Sequence, residues 1–202
     1  MGKNHQVKSH DRSIKSKKSG FIRLISGKWR GKKLAVLNIE GLRPTTNRTK
    51  ETLFNWLMYD IHNARCLDCF SGSGSLAFEA LSRSAQSVTL LERDKQVCQQ
   101  LKLNLQSLKI ENALVIETDS ISYLQQRSTQ PFNIVFIDPP FNKSLLQPCC
   151  DALENNAYLA KNALIYVEME KKIDLFTPPS SWELIKEKST GQVIYQLYKK
   201  TN

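Results

Sequence analysis

Two loops in this 202-residue chain carry residues that could bind a ligand or perform chemistry. The first begins at Asp68 and places a glycine-rich turn between an apolar run and a segment of helical periodicity. Gly72 and Gly74 with Ala77 fit the spacing G-x-G-x-x-G/A, in which glycine lets the backbone approach a nucleotide or nucleoside. Glu92 ends the next apolar run, where a carboxylate can accept hydrogen bonds from both hydroxyls of a ribose.

The acid at the start of this turn bears on which ligand the turn would hold. The carboxylate of Asp68 would lie beside the pyrophosphate of a nicotinamide dinucleotide, and two neighbouring anions repel each other. S-adenosylmethionine has no phosphate and carries an ammonium and a sulfonium, so Asp68 favours this methyl donor. NAD, or a tight turn that binds no ligand, are the alternatives.

The second loop is Asp138-Pro139-Pro140-Phe141, which follows the apolar run 132–137. Paired prolines cannot continue a sheet ladder and hold the backbone extended, so the carbonyls before and between them can point together into a cleft. A carboxylate, a fixed carbonyl and an aromatic face suit a planar base that bears an exocyclic amine. The acceptors would hold the amine hydrogens and the ring would stack on the base. The alternative is a turn that only terminates an edge strand.

Alternating strand and helix patterns must position these two loops. Such alternation predicts an α/β fold with a mostly parallel, doubly wound sheet, whose ligands bind at the carboxyl ends of the strands. Two further β-patterns around Gly191 predict an antiparallel C-terminal strand pair. The strand patterns lie near 65–70, 87–91, 113–117, 132–137 and 163–168, and the helical patterns near 75–84, 94–109, 120–127 and 143–157.

Asp119 follows the third of these strand patterns and allows two interpretations. Its carboxylate could bond the adenine amine of a bound nucleoside, or it could cap the helix that follows. The sequence favours neither over the other.

Five cysteines bear on metal and redox chemistry. Cys66 and Cys69 form a C-x-x-C, but they lie inside an apolar run and no second pair at zinc-finger spacing accompanies them. An odd number of cysteines without a secretory signal favours reduced, buried thiols over disulfides. The sequence therefore predicts no metal.

The basic residues are concentrated in the first quarter of the chain. Residues 1–50 hold fourteen Lys or Arg against two acids, whereas residues 51–202 hold fifteen against seventeen. A basic N-terminal segment on a near-neutral domain predicts a polyanionic partner. The alternative is that this segment is only a solubilising tail. Residues 1–20 are polar and predict a basic disordered tail. The patterns at 21–25 and 33–37 predict a small hairpin, and Thr46 can cap the helix after it.

The distribution of apolar residues indicates whether the chain forms a packed core or crosses a membrane. With 41% apolar residues a packed core is expected. The longest apolar run, Ala163 to Val167, is much shorter than the roughly 20 residues of a membrane-spanning helix. The lack of an apolar stretch near the start predicts a cytoplasmic protein with no membrane partner.

Four motifs together resemble the RsmD-type methyltransferases, and the resemblance extends over about residues 21–200. Serines at 71 and 75 replace the small apolar residues of the family pattern, which should not affect backbone contacts. The motifs are Arg43-Pro44-Thr45, Glu51 to Leu57, Leu67 to Gly74 and Asp138 to Phe141.

The resemblance implies a Rossmann-like class I methyltransferase fold. It implies S-adenosylmethionine as cofactor, S-adenosylhomocysteine as product, and methylation of N2 of one guanine in 16S ribosomal RNA. The partner would be this RNA within the assembled or assembling 30S subunit, and the protein is expected to be a monomer. Residues 21–45 would be an RNA-contacting hairpin and loop, and residues 46–202 the methyltransferase domain.

The candidate site residues fall into three groups. The catalytic candidates are Asp138, Pro139, Pro140 and Phe141. The cofactor-binding candidates are Asp68, Phe70, Gly72, Gly74, Glu92, Asp119 and Ser120. The RNA-binding candidates are Lys28, Arg30, Lys32, Lys33, Arg43 and Thr45.

Two rival functions remain at this point. The acid-Pro-Pro-aromatic motif also serves adenine, so an adenine-N6 methyltransferase acting on DNA or RNA is one alternative. A non-catalytic RNA-binding assembly factor that kept an adenosine pocket is the other. The sequence leaves open which guanine is modified, whether free RNA or a particle is the substrate, and whether Asp138 accepts a proton or only a hydrogen bond.

Overall fold

The computed structural model describes residues 20–37, 46–140, 144–171 and 176–201. Its strands are β1 (Gly20–Arg23), β2 (Lys33–Val36), β3 (Arg65–Asp68), β4 (Ser87–Glu92), β5 (Ala113–Glu117), β6 (Phe132–Ile137), β7 (Leu159–Glu170), β8 (Trp182–Thr190) and β9 (Val193–Lys200). Its helices are α1 (Asn47–Trp56), α2 (Ser75–Ser82), α3 (Lys95–Ser107), α4 (Ser120–Leu124) and α5 (Leu146–Asn155).

Seven of the strands form one sheet, in the order β5-β4-β3-β6-β7-β9-β8. The first five strands of this order run parallel, and β9 pairs antiparallel with both β7 and β8. The predicted α/β fold with an antiparallel C-terminal pair is therefore confirmed. The chain builds β4 and β5 on one side of β3 and then crosses to β6 on the other side. Ligands bind at such a reversal of strand order, here at the carboxyl ends of β3 and β6.

Side-chain caps define where several helices begin. Thr46 Oγ1 accepts a hydrogen bond from the backbone N–H of Thr49, at 3.2 Å, so the predicted cap of α1 is confirmed. Asp94 caps α3 in the same way, through the backbone N–H groups of Gln96 and Val97. Each cap satisfies donors that the first turn of a helix cannot pair internally. Among the described helices, none is long and apolar enough to cross a membrane.

Both faces of the sheet are buried, because alternate residues of a strand point to opposite sides. Phe136 and Tyr166 lie on the face that α1, α2 and α3 cover, and the ring of Phe54 packs 6.1 Å from that of Phe136. Val135 and Ile165 lie on the face that α4 and α5 cover. All five cysteines are buried and free, as predicted.

The hairpin formed by β1 and β2 is attached to α2 through a buried carboxylate. Glu79 is fully buried and accepts hydrogen bonds from the backbone N–H groups of Ile25 and Ser26, at 2.9 and 3.1 Å. It also pairs with Arg83 Nε at 2.8 Å. Lys50 Nζ, on α1, donates to the carbonyl of Arg23 at 2.6 Å, and burial lowers the pKa of this lysine.

The turn of the hairpin rests directly on the C-terminal end of α2. Ser82 Oγ donates to the carbonyl of Ser26 at 2.5 Å and accepts from the N–H of Trp29 at 3.1 Å. Gly27 has φ +75°, and a Cβ at this position would lie 1.8 Å from the carbonyl oxygen of Ser82. Glycine is therefore required here both by the backbone conformation and by the close approach.

We predict that Glu79→Ala lowers the free energy of unfolding by about 3–5 kcal/mol, because it leaves the half-buried Arg83 guanidinium and two backbone N–H groups without an acceptor. Denaturant titration would measure the loss. Glu111→Ala, at an exposed position, serves as the control and should change stability by less than about 0.5 kcal/mol. Equal stability of the two variants would show that Glu79 does not hold the hairpin.

Candidate functional site

Glu92 fixes the glycine-rich loop that follows β3. Its carboxylate accepts the backbone N–H of Gly72 at 2.9 Å and that of Asp94 at 2.8 Å. The loop is also joined to β4 by the bond from Ser71 N–H to the Leu91 carbonyl, at 3.0 Å. Each carboxylate oxygen can accept a second hydrogen bond. Glu92 can therefore hold the loop and still accept from the hydroxyls of a ribose.

Gly74 shows why the loop needs glycine. It has φ +74° and precedes α2 as its N-cap. A Cβ at this position would lie 2.7 Å from side-chain atoms of both Leu101 and Phe78. The left-handed backbone and the close packing both exclude a larger residue. The turn brings the chain from the end of β3 directly into the helix.

Asp68, the last residue of β3, is a buried carboxylate beside this loop. Burial, together with the neighbouring charge of Glu92, raises its pKa to about 7. Backbone hydrogen bonds from Phe70 and Ala77 act in the opposite direction. These two bonds do not fully offset burial, so a cation that enters the site would stabilise the charged carboxylate.

Asp119 and Ser120 lie at the carboxyl end of the next strand, β5. Asp119 Oδ1 accepts from the backbone N–H and the hydroxyl of Ser122, both at 2.9 Å, and these bonds lower its pKa. Of the two interpretations from the sequence, the helix cap is thus present in the structure. The hydroxyl of Ser120 donates to the carbonyl of Cys69 and so connects this loop to the end of β3.

Asp138 begins the second loop, directly after β6. It is half-buried, Pro139 is buried and Pro140 is exposed. Burial raises the pKa of the Asp138 carboxyl well above its usual range, and the charges of Glu168 and Asp68 raise it further. Phe141 lies outside the described residues. Phe70, another predicted contact, is half-buried against the α4–α5 side of the core.

Glu168 is a carboxylate of this site that the sequence interpretation missed. It lies near the end of β7, where the parallel register pairs Phe136 with Tyr166 and Ile137 with Val167. Asp138 and Glu168 each come two residues after this Phe136–Tyr166 pair. They therefore lie side by side, on the same face of the sheet as Phe136 and Tyr166. Tyr166 hydroxyl donates to Glu168 Oε2 at 2.8 Å, and burial raises the pKa of Glu168. The first acid at the end of an apolar strand pattern was the available signal.

The predicted RNA-binding residues that the structure describes lie on the hairpin. Lys28, Arg30, Lys32 and Lys33 are all exposed, whereas Arg43 and Thr45 lie outside the described residues. Arg23, which the sequence interpretation omitted, is exposed and lies directly opposite Lys33 in the β1–β2 ladder. The hairpin therefore exposes basic residues on its turn and on both of its strands.

This hairpin is also next to the glycine loop. Asn104 of α3 donates through Nδ2 to the carbonyl of Ala35 at 2.9 Å, which holds β2 against α3. A small cleft between the two elements is lined by Ala35 to Leu37 on one side and by Gly72 and Ser73 on the other. β2 and the glycine loop are thus neighbours, and the hairpin turn that carries Lys28 and Arg30 lies at the other, C-terminal end of α2.

The candidate site is an acidic edge of the sheet. Asp68, Glu92 and Asp138 converge there, and the two ion pairs found among the described residues lie elsewhere, at Arg83–Glu79 and Lys200–Glu154. The described residues contain no cluster of three His, Cys, Asp or Glu side chains that could hold a metal ion. Such an edge suits a cationic ligand without phosphate better than a dinucleotide.

The strand order, the glycine loop after β3 and Glu92 at the end of β4 define a class I methyltransferase fold. The sequence model of the family described as Conserved hypothetical protein 95 matches residues 22–199. The chain belongs to this family, the RsmD family of methyltransferases.

Comparisons with individual proteins agree. The chain is 57% identical over 182 residues to Ribosomal RNA small subunit methyltransferase D of Haemophilus influenzae, covering 89% of this chain and 94% of the relative. It is 50% identical to the solved structure of yhhF from Escherichia coli, with a TM-score of 0.85, covering 90% and 99% of the two chains. SMU.776, solved in complex with SAH, shares the fold at 12% identity, with a TM-score of 0.65 over 90% of this chain and 56% of that one.

The titration of Asp68 gives a prediction for the free protein. Its pKa is about 7 in the fold against an ordinary value of 3.8, so between these pH values the unfolded chain has lost a proton that the folded chain keeps. Asp68 therefore makes stability fall as pH rises from about 4 to 7, by up to about 1.4 kcal/mol per pH unit.

Asp68→Asn should remove this contribution and make the variant more stable than the unmutated protein at pH 8. Urea unfolding at pH 5 and pH 8 would measure the change. Asp138 and Glu168 titrate in the same direction, so the slope should decrease rather than vanish. An unchanged slope would contradict the assignment to Asp68.

Proposed function

We propose that this protein transfers a methyl group from S-adenosylmethionine to the exocyclic N2 amine of one guanine in 16S ribosomal RNA of the small ribosomal subunit. The observation that carries the proposal is the pair of loops at one sheet edge: the Glu92-anchored glycine loop after β3, and Asp138-Pro139-Pro140 after β6. Membership of the RsmD family and the name of the Haemophilus relative support ribosomal RNA of the small subunit as the substrate.

The residues of the first loop fit this methyl donor. When bound, S-adenosylmethionine supplies an electrophilic methyl group on a positively charged sulfur. Asp68 and Glu92 give this part of the cleft negative charge, which a cationic donor neutralises. The backbone at Gly72 and Gly74 allows close approach, and Glu92 would accept from the ribose hydroxyls. We also assign the candidates Phe70, Asp119 and Ser120 to the donor pocket.

The residues of the second loop would hold the target base. The amine of guanine is a weak nucleophile, because its lone pair is delocalised into the ring. We assign Asp138 and the Pro139 carbonyl as acceptors that orient this amine, and Phe141 as the ring that stacks on the base once it has left the helical stack. Fixed orientation of this kind can supply roughly 7–11 kcal/mol of a reaction barrier.

The ionisation of Asp138 gives it a second task. As the amine nitrogen takes the methyl group it becomes positively charged, and a buried carboxylate nearby stabilises that charge strongly. The raised pKa of Asp138 also makes it a better proton acceptor than an exposed aspartate. The cationic amine can thus lose its proton to Asp138 after transfer.

The basic hairpin supports an RNA substrate. Arg23, Lys28, Arg30, Lys32 and Lys33 are exposed on a hairpin that is fixed to the domain by Glu79 and Ser82. Phosphate contacts of this kind position a nucleic acid without reading its sequence. The proposed monomer would act in the cytoplasm on the assembled or assembling 30S subunit.

We predict that Asp138→Ala lowers the single-turnover rate at saturating donor by at least about 100-fold, because it removes the acceptor that positions and neutralises the amine. Asp138→Asn keeps an oxygen acceptor and should be slow but active. Calorimetry should show donor affinity within twofold of the unmutated protein for both variants, since Asp138 is assigned to the base.

The measurement uses labelled methyl donor, unmodified small subunits and mapping of the labelled nucleotide. Free 16S RNA and duplex DNA are the comparison substrates, and Glu170→Gln, two residues beyond Glu168 on β7, is the control variant. Label on an adenine or on DNA would favour the adenine-N6 rival. Tight RNA binding without methyl transfer by the unmutated protein would overturn the proposal.

A second prediction concerns the hairpin. Replacing Arg30 and Lys32 with Ala should weaken RNA binding at low salt, and the log–log salt slope should decrease by about 0.7–0.9 for each phosphate that the variant no longer neutralises. Donor affinity should not change, because both side chains project from the hairpin surface. Lys109→Ala, at an exposed position after α3, provides the control. A slope identical in all three proteins would remove these residues from the interface.

A further inference from the structure

The β6–β7 edge of the cleft carries a carboxylate to which the proposed mechanism gives no role. Glu168 is half-buried and pairs with Tyr195 on β9. On the other side, the register with β6 ends at Ile137 opposite Val167, and Asp138 is the next residue after Ile137. Among the described residues, its one side-chain hydrogen bond comes from the Tyr166 hydroxyl, and neither of the two ion pairs includes it. Among the residues that the structure describes, no Lys or Arg therefore forms an ion pair with this acid.

Tyr166 makes this arrangement specific. The tyrosine lies on β7, two residues before Glu168, and is fully buried. Its hydroxyl donates to Oε2 of Glu168 and does not contact Oε1. A buried hydroxyl donor of this kind fixes the rotamer of a carboxylate and stabilises its charged form. Asp138 follows the neighbouring strand β6 and lies beside Glu168. Two acceptor groups are therefore next to each other at the edge of the cleft.

Two adjacent acceptors match one nucleobase edge in particular. Guanine presents two neighbouring donors, the N1–H and the N2 amine, on its Watson–Crick edge. Adenine presents its N6 amine beside N1, which is an acceptor and would face a carboxylate unfavourably. A polar group left without a partner in a closed site costs far more than a missing apolar contact, so such a mismatch gives strong discrimination.

We propose that Glu168 makes the enzyme specific for guanine by accepting the N1–H of the target base, beside the amine held at Asp138. This proposal rests on the function proposed above. Tyr166 is its positioning residue. The arrangement excludes adenine at the same step at which it orients guanine. It also gives the two acids separate tasks: Asp138 handles the amine that reacts, and Glu168 identifies the base that carries it.

The test replaces the target guanine with 2-aminopurine, which keeps the C2 amine but has an acceptor at N1. Once mapping has identified the target, the analogue is introduced by ligation into 16S RNA and assembled into small subunits. The unmutated protein should prefer guanine by at least about tenfold in kcat/KM. Glu168→Gln loses the charged acceptor for N1–H of guanine and can donate its amide to N1 of the analogue, so this preference should fall at least tenfold.

Two further variants separate specificity from structure. Glu170→Gln lies on the same strand and should retain the preference of the unmutated protein. Tyr166→Phe keeps the buried ring but releases Glu168, so the preference should fall severalfold with donor affinity unchanged. If Glu168→Gln is poorly folded, this second variant still tests the proposal, because it retains the carboxylate and alters only its position.

The outcomes distinguish the two proposals. If the unmutated protein transfers no methyl group to unmodified subunits, the proposed function fails. If it does so and Glu168→Gln keeps the same guanine preference as Glu170→Gln, the specificity role of Glu168 is wrong and the function stands. Equal loss on both bases in Glu168→Gln would likewise overturn the role, because a merely structural acid affects both substrates alike.

Discussion

The parallel pairing of β3 with β6 is the constraint on which the rest of the site depends. Asp68 pairs with Phe136, and the N–H of Cys69 donates to the Phe136 carbonyl at 3.0 Å, so the two strands end at the same level. Asp68 and Asp138, where the two loops begin, are seventy positions apart in the sequence. Because the strands are neighbours, the glycine loop and Asp138 nevertheless open into one cleft. A shift of register by one residue would turn every side chain of β6 to the other face of the sheet.

This convergence brings acids together, and their mutual repulsion opposes folding. Burial raises the pKa values of Asp68, Asp138 and Glu168, and like charges raise those of Asp68 and Asp138 further, so each carboxyl is easier to protonate than an exposed one. The backbone N–H groups that bond Glu92 and the hydroxyl that bonds Glu168 offset part of this cost. The remainder is an electrostatic preference for ligands that bring positive charge or N–H donors. The proposed donor and the amine edge of guanine are such ligands.

The sequence predicted those parts of the site whose information is local. The glycine spacing, Glu92 and Asp138-Pro139 each lie within a few residues of a strand end, so strand–helix alternation was enough to place them at one edge. Glu79 and Glu168 could not be assigned in this way. Each is an acid within an apolar segment, which signals a buried partner, but the partners of Glu79 lie 53 and 54 residues away in the hairpin. Such contacts exist only after the elements have docked, and local periodicity does not encode docking.

Helix α2 connects the glycine loop to the basic hairpin. It begins at the glycine loop, with Gly74 as its N-cap, and its last turn carries Ser82, which holds the turn of the hairpin. Eight residues of helix span only about 12 Å, and a helix this short is a stiff connection. Glu79 attaches the hairpin to the same helix from a buried position, and Asn104 attaches it to α3. RNA held by the basic hairpin would therefore be held at a fixed distance from the methyl donor, with no hinge among these elements. In the proposed reaction, the packing of the hairpin on α2 would thus set the orientation of the RNA.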